Sequence, residues 1–139
     1  MDINFASVEA GDFDPHIYLQ ILISVAKADR FNGPPEIEFV KRQAQRLPVD
    51  FETTWNTTDK SFEIDPVKIS RFTALAVLKD CIALASLDGN FSLDEKEKIY
   101  ILAERLNIPL FDVKLLEEWC NECIELEKKW YKLVKGELY

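Results

Sequence analysis

Glycine and proline are scarce in this chain, at 4 and 6 of 139 residues, and they fall between periodic segments. That excludes a turn-rich β architecture and points to helices. Histidine occurs once, as His16 at the start of an apolar segment, where it reads as an exposed residue. With one histidine and no Ser/His/Asp or Cys/His set, nucleophilic catalysis has no support. No run of 18 apolar residues exists, so no membrane span is expected. The first residues, MDINFASVEAGDFD, lack a basic region, so they do not read as a signal peptide. Three cysteines, an odd number without framework spacing, fit a reducing cytoplasm. Basic residues are outnumbered, 17 Lys and Arg against 25 Asp and Glu, for a net charge of −8. That argues against nucleic-acid binding and is compatible with a cation.

What is present is a repeat. Residues 19–51 and 78–110 align without gaps at an offset of 59, and nine of the 33 pairs are identical. Leu19/Leu78, Ile23/Ile82, Ala26/Ala85, Ala44/Ala103 and Leu47/Leu106 are apolar and follow helical spacing. Arg46/Arg105 is the basic match. The acidic matches are Asp29/Asp88, Glu36/Glu95 and Glu38/Glu97. Each copy therefore places an Asp seven residues before a Glu, across a helix–loop–helix joint. The expected fold is an all-α, single-domain bundle of about six to eight helices over residues 1–139, built from two pseudo-symmetric helix–loop–helix repeats (about 15–51 and 66–110) and a last helix over about 112–135.

The punctuation gives the helices. Residues 1–14 read as a weakly ordered lead-in. Asp14–Pro15 starts the first helix, whose dense apolar set predicts burial on most of its circumference. Gly33–Pro34–Pro35 opens the second, to about Leu47. Residues 48–65 read as a connector with one short helix and the aromatic anchors Phe51, Trp55 and Phe62. Asp65–Pro66 predicts a long central helix to about Leu87, and Ser92 opens its partner, to about Asn107. In the last helix Val113, Leu116, Cys120, Cys123, Trp130 and Val134 form a stripe broken only by Glu127. Its acids lie early and its lysines late, matching the helix dipole, and Gly136 is a natural stop. Cys120–Asn–Glu–Cys123 sits inside that stripe and reads as two core residues, not a redox motif. Trp119, Trp130 and Tyr131 read as core and lid contacts, or as an exposed partner surface if the helix packs incompletely.

The acidic pairs carry two readings. Ser92 and Glu95 have the spacing of a capping box, in which the Ser hydroxyl takes the Glu95 N–H and the Glu side chain reaches back to the Ser92 N–H. Asp29 and Asp88 sit at helix ends, where the dipole disfavours a negative charge. Either an Asx turn, helped by Gly89, or a cation offsets that cost. On the second reading Asp29, Glu36, Asp88 and Glu95 form one four-carboxylate site for Ca²⁺ or Mg²⁺, with Glu38 and Glu97 as outer-shell candidates. The second loop is similar to part of a calcium-binding EF-hand, with Asp88, Gly89, Phe91 and Glu95 at loop positions 5, 6, 8 and 12. Position 1 would be the apolar Leu84, so the missing oxygens have to come from the other copy. Arg30 beside Asp29 makes the copies unequal, and the second loop is expected to dominate.

The string Ala85-Ser-Leu-Asp88-Gly89-Asn-Phe91-Ser-Leu-Asp-Glu95-Lys, followed by Ala103-Glu-Arg-Leu106-Asn-Ile108, resembles the tellurite-resistance TerB-like family. Ala26-Lys-Ala-Asp29-Arg-Phe-Asn-Gly-Pro-Pro-Glu36 matches the same pattern with Arg30 in place of the usual glycine. The two motifs cover about half the chain. The resemblance implies a small helical bundle with internal pseudo-symmetry, divalent-metal binding through Asp29, Glu36, Asp88 and Glu95, and no enzymatic activity. It further implies a bacterial, cytoplasmic sensor or scaffold in stress or tellurite-resistance systems, with protein partners and no organic cofactor. A homodimer and peripheral membrane association are compatible with it. The alternatives are a purely structural interaction domain whose acids are caps and, remotely, a metal-dependent hydrolase. Tellurite is an anion, which an acidic cluster repels unless a metal bridges them.

Overall fold

A computed structural model describes residues 12–28, 33–86 and 92–137. Among them the chain forms six α-helices and no strand: α1 (Pro15–Ala28), α2 (Pro34–Gln45), α3 (Phe51–Thr57), α4 (Arg71–Ala85), α5 (Leu93–Arg105) and α6 (Leu110–Lys135). α1 and α4 are the inner pair and pack on one another. α2 and α3 lie against α1 and each other, while α5 and α6 lie against α4 and each other.

Burial explains the inner pair. Leu19, Ile21, Leu22, Ile23 and Ala26 on α1 are fully buried. So are Ala76, Val77 and Leu78 on α4, with Cys81, Ile82, Leu84 and Ala85 nearly so. Apolar side chains on every side leave neither helix a solvent face, which requires covering elements all round. α2 and α5 supply narrower stripes, Phe39, Val40 and Ala44 on one and Ile99, Leu102 and Ala103 on the other.

Local chemistry sets the helix ends. The Asp14 carboxylate accepts the N–H groups of His16 and Ile17, both at 3.0 Å, capping α1 at the Asp–Pro start. The lead-in is anchored where it meets α1: the Asp14 N–H donates to Thr73 Oγ1 (3.0 Å), and Phe13 packs on Tyr18 and Phe72. Residues 1–11 lie outside the described residues. Asp50 caps α3 through the Thr53 N–H (2.9 Å). The Lys27 ammonium at the end of α1 donates to the carbonyls of Trp55 and Thr58 and stands over the Trp55 ring. The connector 48–65 thus closes the C-terminal end of α1 with a cation, as the dipole favours. α5 ends in a Schellman turn: Asn107 takes φ 56°, and the Ile108 N–H reaches the Ala103 carbonyl at 2.9 Å. Gly136, with φ 73°, ends α6 in the same way.

Two expectations need correction. The long helix expected from Pro66 is divided. Asp65–Pro66 starts only a 3₁₀ turn, Pro66–Lys68, and α4 begins at Arg71. Ser70 is the reason, because its hydroxyl accepts the Thr73 N–H at 3.1 Å and its backbone is extended, so it serves as a second cap. The aromatic residues of α6 are not core: Trp130 and Tyr131 are each 62% exposed and Trp119 38%. Among the described residues α6 buries side chains on the body at Val113, Leu116, Cys120 and Cys123, and from Lys128 to its end it is exposed.

Replacing Leu78 with Ala should cost about 2–5 kcal/mol in urea unfolding. Replacing the exposed Leu93 should change stability by no more than about 0.5 kcal/mol.

Candidate functional site

The residues selected from sequence fall into two groups. Asp29 and Asp88 lie outside the described residues, as do Arg30, Gly89 and Phe91. Glu36 and Glu95 are described and partly buried, each in the first turn of its helix. Glu36 folds back over Gly33, where a Cβ would stand 2.8 Å from Glu36 Oε2. Glu38 and Glu97 are exposed. Among the described residues no group of three His, Cys, Asp or Glu side chains is placed to hold a metal.

Glu95 is held closely. Its N–H donates to Ser92 Oγ at 3.2 Å, as a capping box requires. The return contact differs from the expected one, since the Ser92 hydroxyl itself donates to Glu95 Oε1 at 3.0 Å. A hydroxyl is donor and acceptor at once, so one serine serves both bonds. Glu95 Oε2 is buried and has no hydrogen-bond partner among the described residues. The side chain lines a cleft of about 240 Å³ between α1, α4 and α5, with Lys60, Lys98 and Arg105 also on its wall.

A second polar centre was not anticipated from sequence. Asp80, in the middle of α4 and 4% exposed, accepts the Tyr18 hydroxyl from α1 at 2.5 Å. Its other oxygen pairs with the Lys79 ammonium at 2.8 Å. Both carboxylate oxygens are therefore satisfied inside the core, the condition for keeping a buried charge. Burial, then the Asp80 charge and the hydrogen bond to it, push the Tyr18 phenol far above its ordinary value. A buried Lys–Asp string inside LAVLKDCIALA was the available signal: a helix apolar on all sides has no solvent face on which to place its charges. Its partner, 62 residues away, carries no local signal.

Lys79 and Asp80 form the floor of a cleft of about 410 Å³ between α2, α4 and α6. Arg42 and Arg46 stand on its α2 side, and Trp119, Cys120 and Cys123 on its α6 side. The cysteines are free, and burial followed by the neighbouring Cys123 raises the Cys120 thiol to about 11. At neutral pH it is protonated and a poor nucleophile.

No protein-family model, curated protein or solved structure matches this chain.

Asp80→Ala should cost about 3–5 kcal/mol, because it leaves the Lys79 ammonium buried without its partner. Tyr18→Phe should cost about 1–3 kcal/mol by removing one hydrogen bond to a charged acceptor. The raised values of Tyr18 and Cys120 mean that the folded state holds these protons more tightly than the unfolded chain does. Their contribution to stability is complete below the unfolded values, 10.0 for Tyr18 and 9.0 for Cys120, and is lost as pH rises beyond them. Urea unfolding of Tyr18→Phe/Cys120→Ala between pH 8 and about 11 should show a shallower loss of stability than the parent.

Proposed function

We propose that this chain is a non-enzymatic helical module of the TerB-like kind that takes up Ca²⁺ or Mg²⁺ at its second acidic loop. It would act in the bacterial cytoplasm as a sensor or scaffold in stress or tellurite-resistance systems. The observation that carries the proposal is Glu95 Oε2, a buried carboxylate oxygen without a hydrogen-bond partner among the described residues. Leaving such an oxygen unsatisfied is costly, and a hard divalent cation is the partner an anionic oxygen satisfies best. Glu95 stands seven residues after Asp88, the other oxygen donor of that loop. Asp29 and Glu36 are the corresponding donors of the first loop.

The two-repeat organisation belongs to the same proposal. Helices start at Pro34 and Leu93, and again at Phe51 and Leu110, each pair 59 residues apart. The packing of α2 and α3 on α1 parallels that of α5 and α6 on α4. Two related halves would bring two acidic loops to one protein, with the first weakened by Arg30.

The cations near Glu95 set the affinity. Lys60, Lys98 and Arg105 line the same cleft, and positive charge there opposes cation uptake, so binding in the millimolar to sub-millimolar range is expected. The non-enzymatic reading is supported by the protonated Cys120 thiol and by Asp80, whose two oxygens are already engaged by Lys79 and Tyr18.

A second reading, a structural interaction domain, is favoured by the Ser92–Glu95 contacts, which give Glu95 a capping role of its own. Calorimetric titration separates the two. The metal reading predicts saturable heat with Ca²⁺ or Mg²⁺, reduced in both Glu95→Gln and Asp88→Asn. Glu95→Gln is the informative variant, since Gln keeps the cap and loses the charge. Absence of heat at millimolar cation, or heat unchanged in both variants, leaves the structural reading.

A further inference from the structure

We propose that α6 is a self-association helix, and that two copies of this chain pair through α6 in antiparallel fashion about a two-fold axis at Leu126. At 26 residues α6 is about 39 Å long, and from Lys128 to its end every residue is exposed. The residues that face the body, from Val113 to Cys123, occupy one side. A different row lies roughly 100° around the helix and is exposed, least at Trp119, which also lines the cleft toward α2 and α4. Trp119, Leu126 and Leu133 recur in it every seven residues, at 38%, 52% and 47% exposure. A seven-residue apolar recurrence supplies one of the two positions per heptad at which paired helices meet, and Trp130 adds to it in the last turns.

Charge decides the occupant and its direction. Glu122 and Lys129 border this row, also seven residues apart, and both are exposed. Between residues 117 and 127 the helix carries Glu117, Glu118, Glu122, Glu125 and Glu127 and no base. Between 128 and 135 it carries Lys128, Lys129, Lys132 and Lys135 and no acid. A parallel pair would set Glu122 against Glu122 and Lys129 against Lys129. An antiparallel pair centred on Leu126 sets Leu126 against its own copy and Trp119 against Leu133 and Trp130 of the second copy. The same register places Glu122 beside Lys129 of the second copy, twice. The apolar row and the charges thus select one register, and the acidic half of each helix meets the basic half of the other.

Sedimentation equilibrium of the full chain tests this. The expected result is a concentration-dependent species of twice the 16.1 kDa chain mass. Glu122→Lys or Lys129→Glu alone should weaken association by roughly tenfold, each creating two like-charged contacts. The double exchange Glu122→Lys/Lys129→Glu should restore it, which happens only if the two residues face each other across the pair. Circular dichroism establishes that the variants fold, and both positions are exposed. A chain that stays monomeric at high-micromolar concentration overturns the proposal, including one that instead binds phosphatidylserine vesicles through its Lys-rich end. A dimer that the single exchanges leave unchanged, or that the double exchange fails to restore, overturns the antiparallel register.

Discussion

The packing of the inner helices turns on one carboxylate held almost wholly out of water, at the floor of a cleft. Asp80 lies in the middle of α4, a helix covered on all sides, and each of its oxygens has a partner. The pairing with Lys79 removes the net charge, and the Tyr18 hydroxyl ties α4 to α1. An apolar α1–α4 interface could tolerate small rotations or slides of one helix on the other. A hydrogen bond to a buried charge cannot, because slipping out of register would leave that charge unsatisfied in the core. With the inner pair fixed in this way, α2 and α3 cover α1 while α5 and α6 cover α4, and the clefts arise where these outer helices diverge.

The helix ends were legible because their causes are local. Asp14–Pro15, Gly33–Pro34, Ser92 and Gly136 each act within one turn of the chain, so their residue types announce them. The break before α4 was misread for an equally local reason. Asp65–Pro66 has the same sequence signature as Asp14–Pro15, but Ser70 supplies a competing cap five residues later, and the chain uses both. The Tyr18–Asp80 bond was not legible, since nothing in the sequence near either residue names the other. Periodicity along α6 correctly marked an apolar side but could not tell which half has a neighbour. Leu116 and Cys120 pack on the body, whereas Trp130 and Val134, on the same stripe, do not.

The candidate cation site was partly legible as well. The capping role of Glu95 follows from Ser92 three residues earlier, and the structure places both as that spacing requires. The orphaned Oε2 depends on how α5 sits against its neighbours and cannot be read from spacing. The same carboxylate thus bears a structural oxygen and one without a hydrogen-bond partner among the described residues. One group can cap α5 permanently and still offer a ligand, so the capping and cation readings compete less than the sequence suggested.

The cation claim is tested most directly by amide NMR of the full chain during titration with Ca²⁺ and Mg²⁺. The account predicts saturable shifts concentrated on Ser86 and on the Ser92–Lys96 amides, with those around Tyr18 and Asp80 unmoved because that centre is already satisfied. A spectrum that does not change at millimolar cation, or shifts scattered over the acidic surface without saturation, would contradict it.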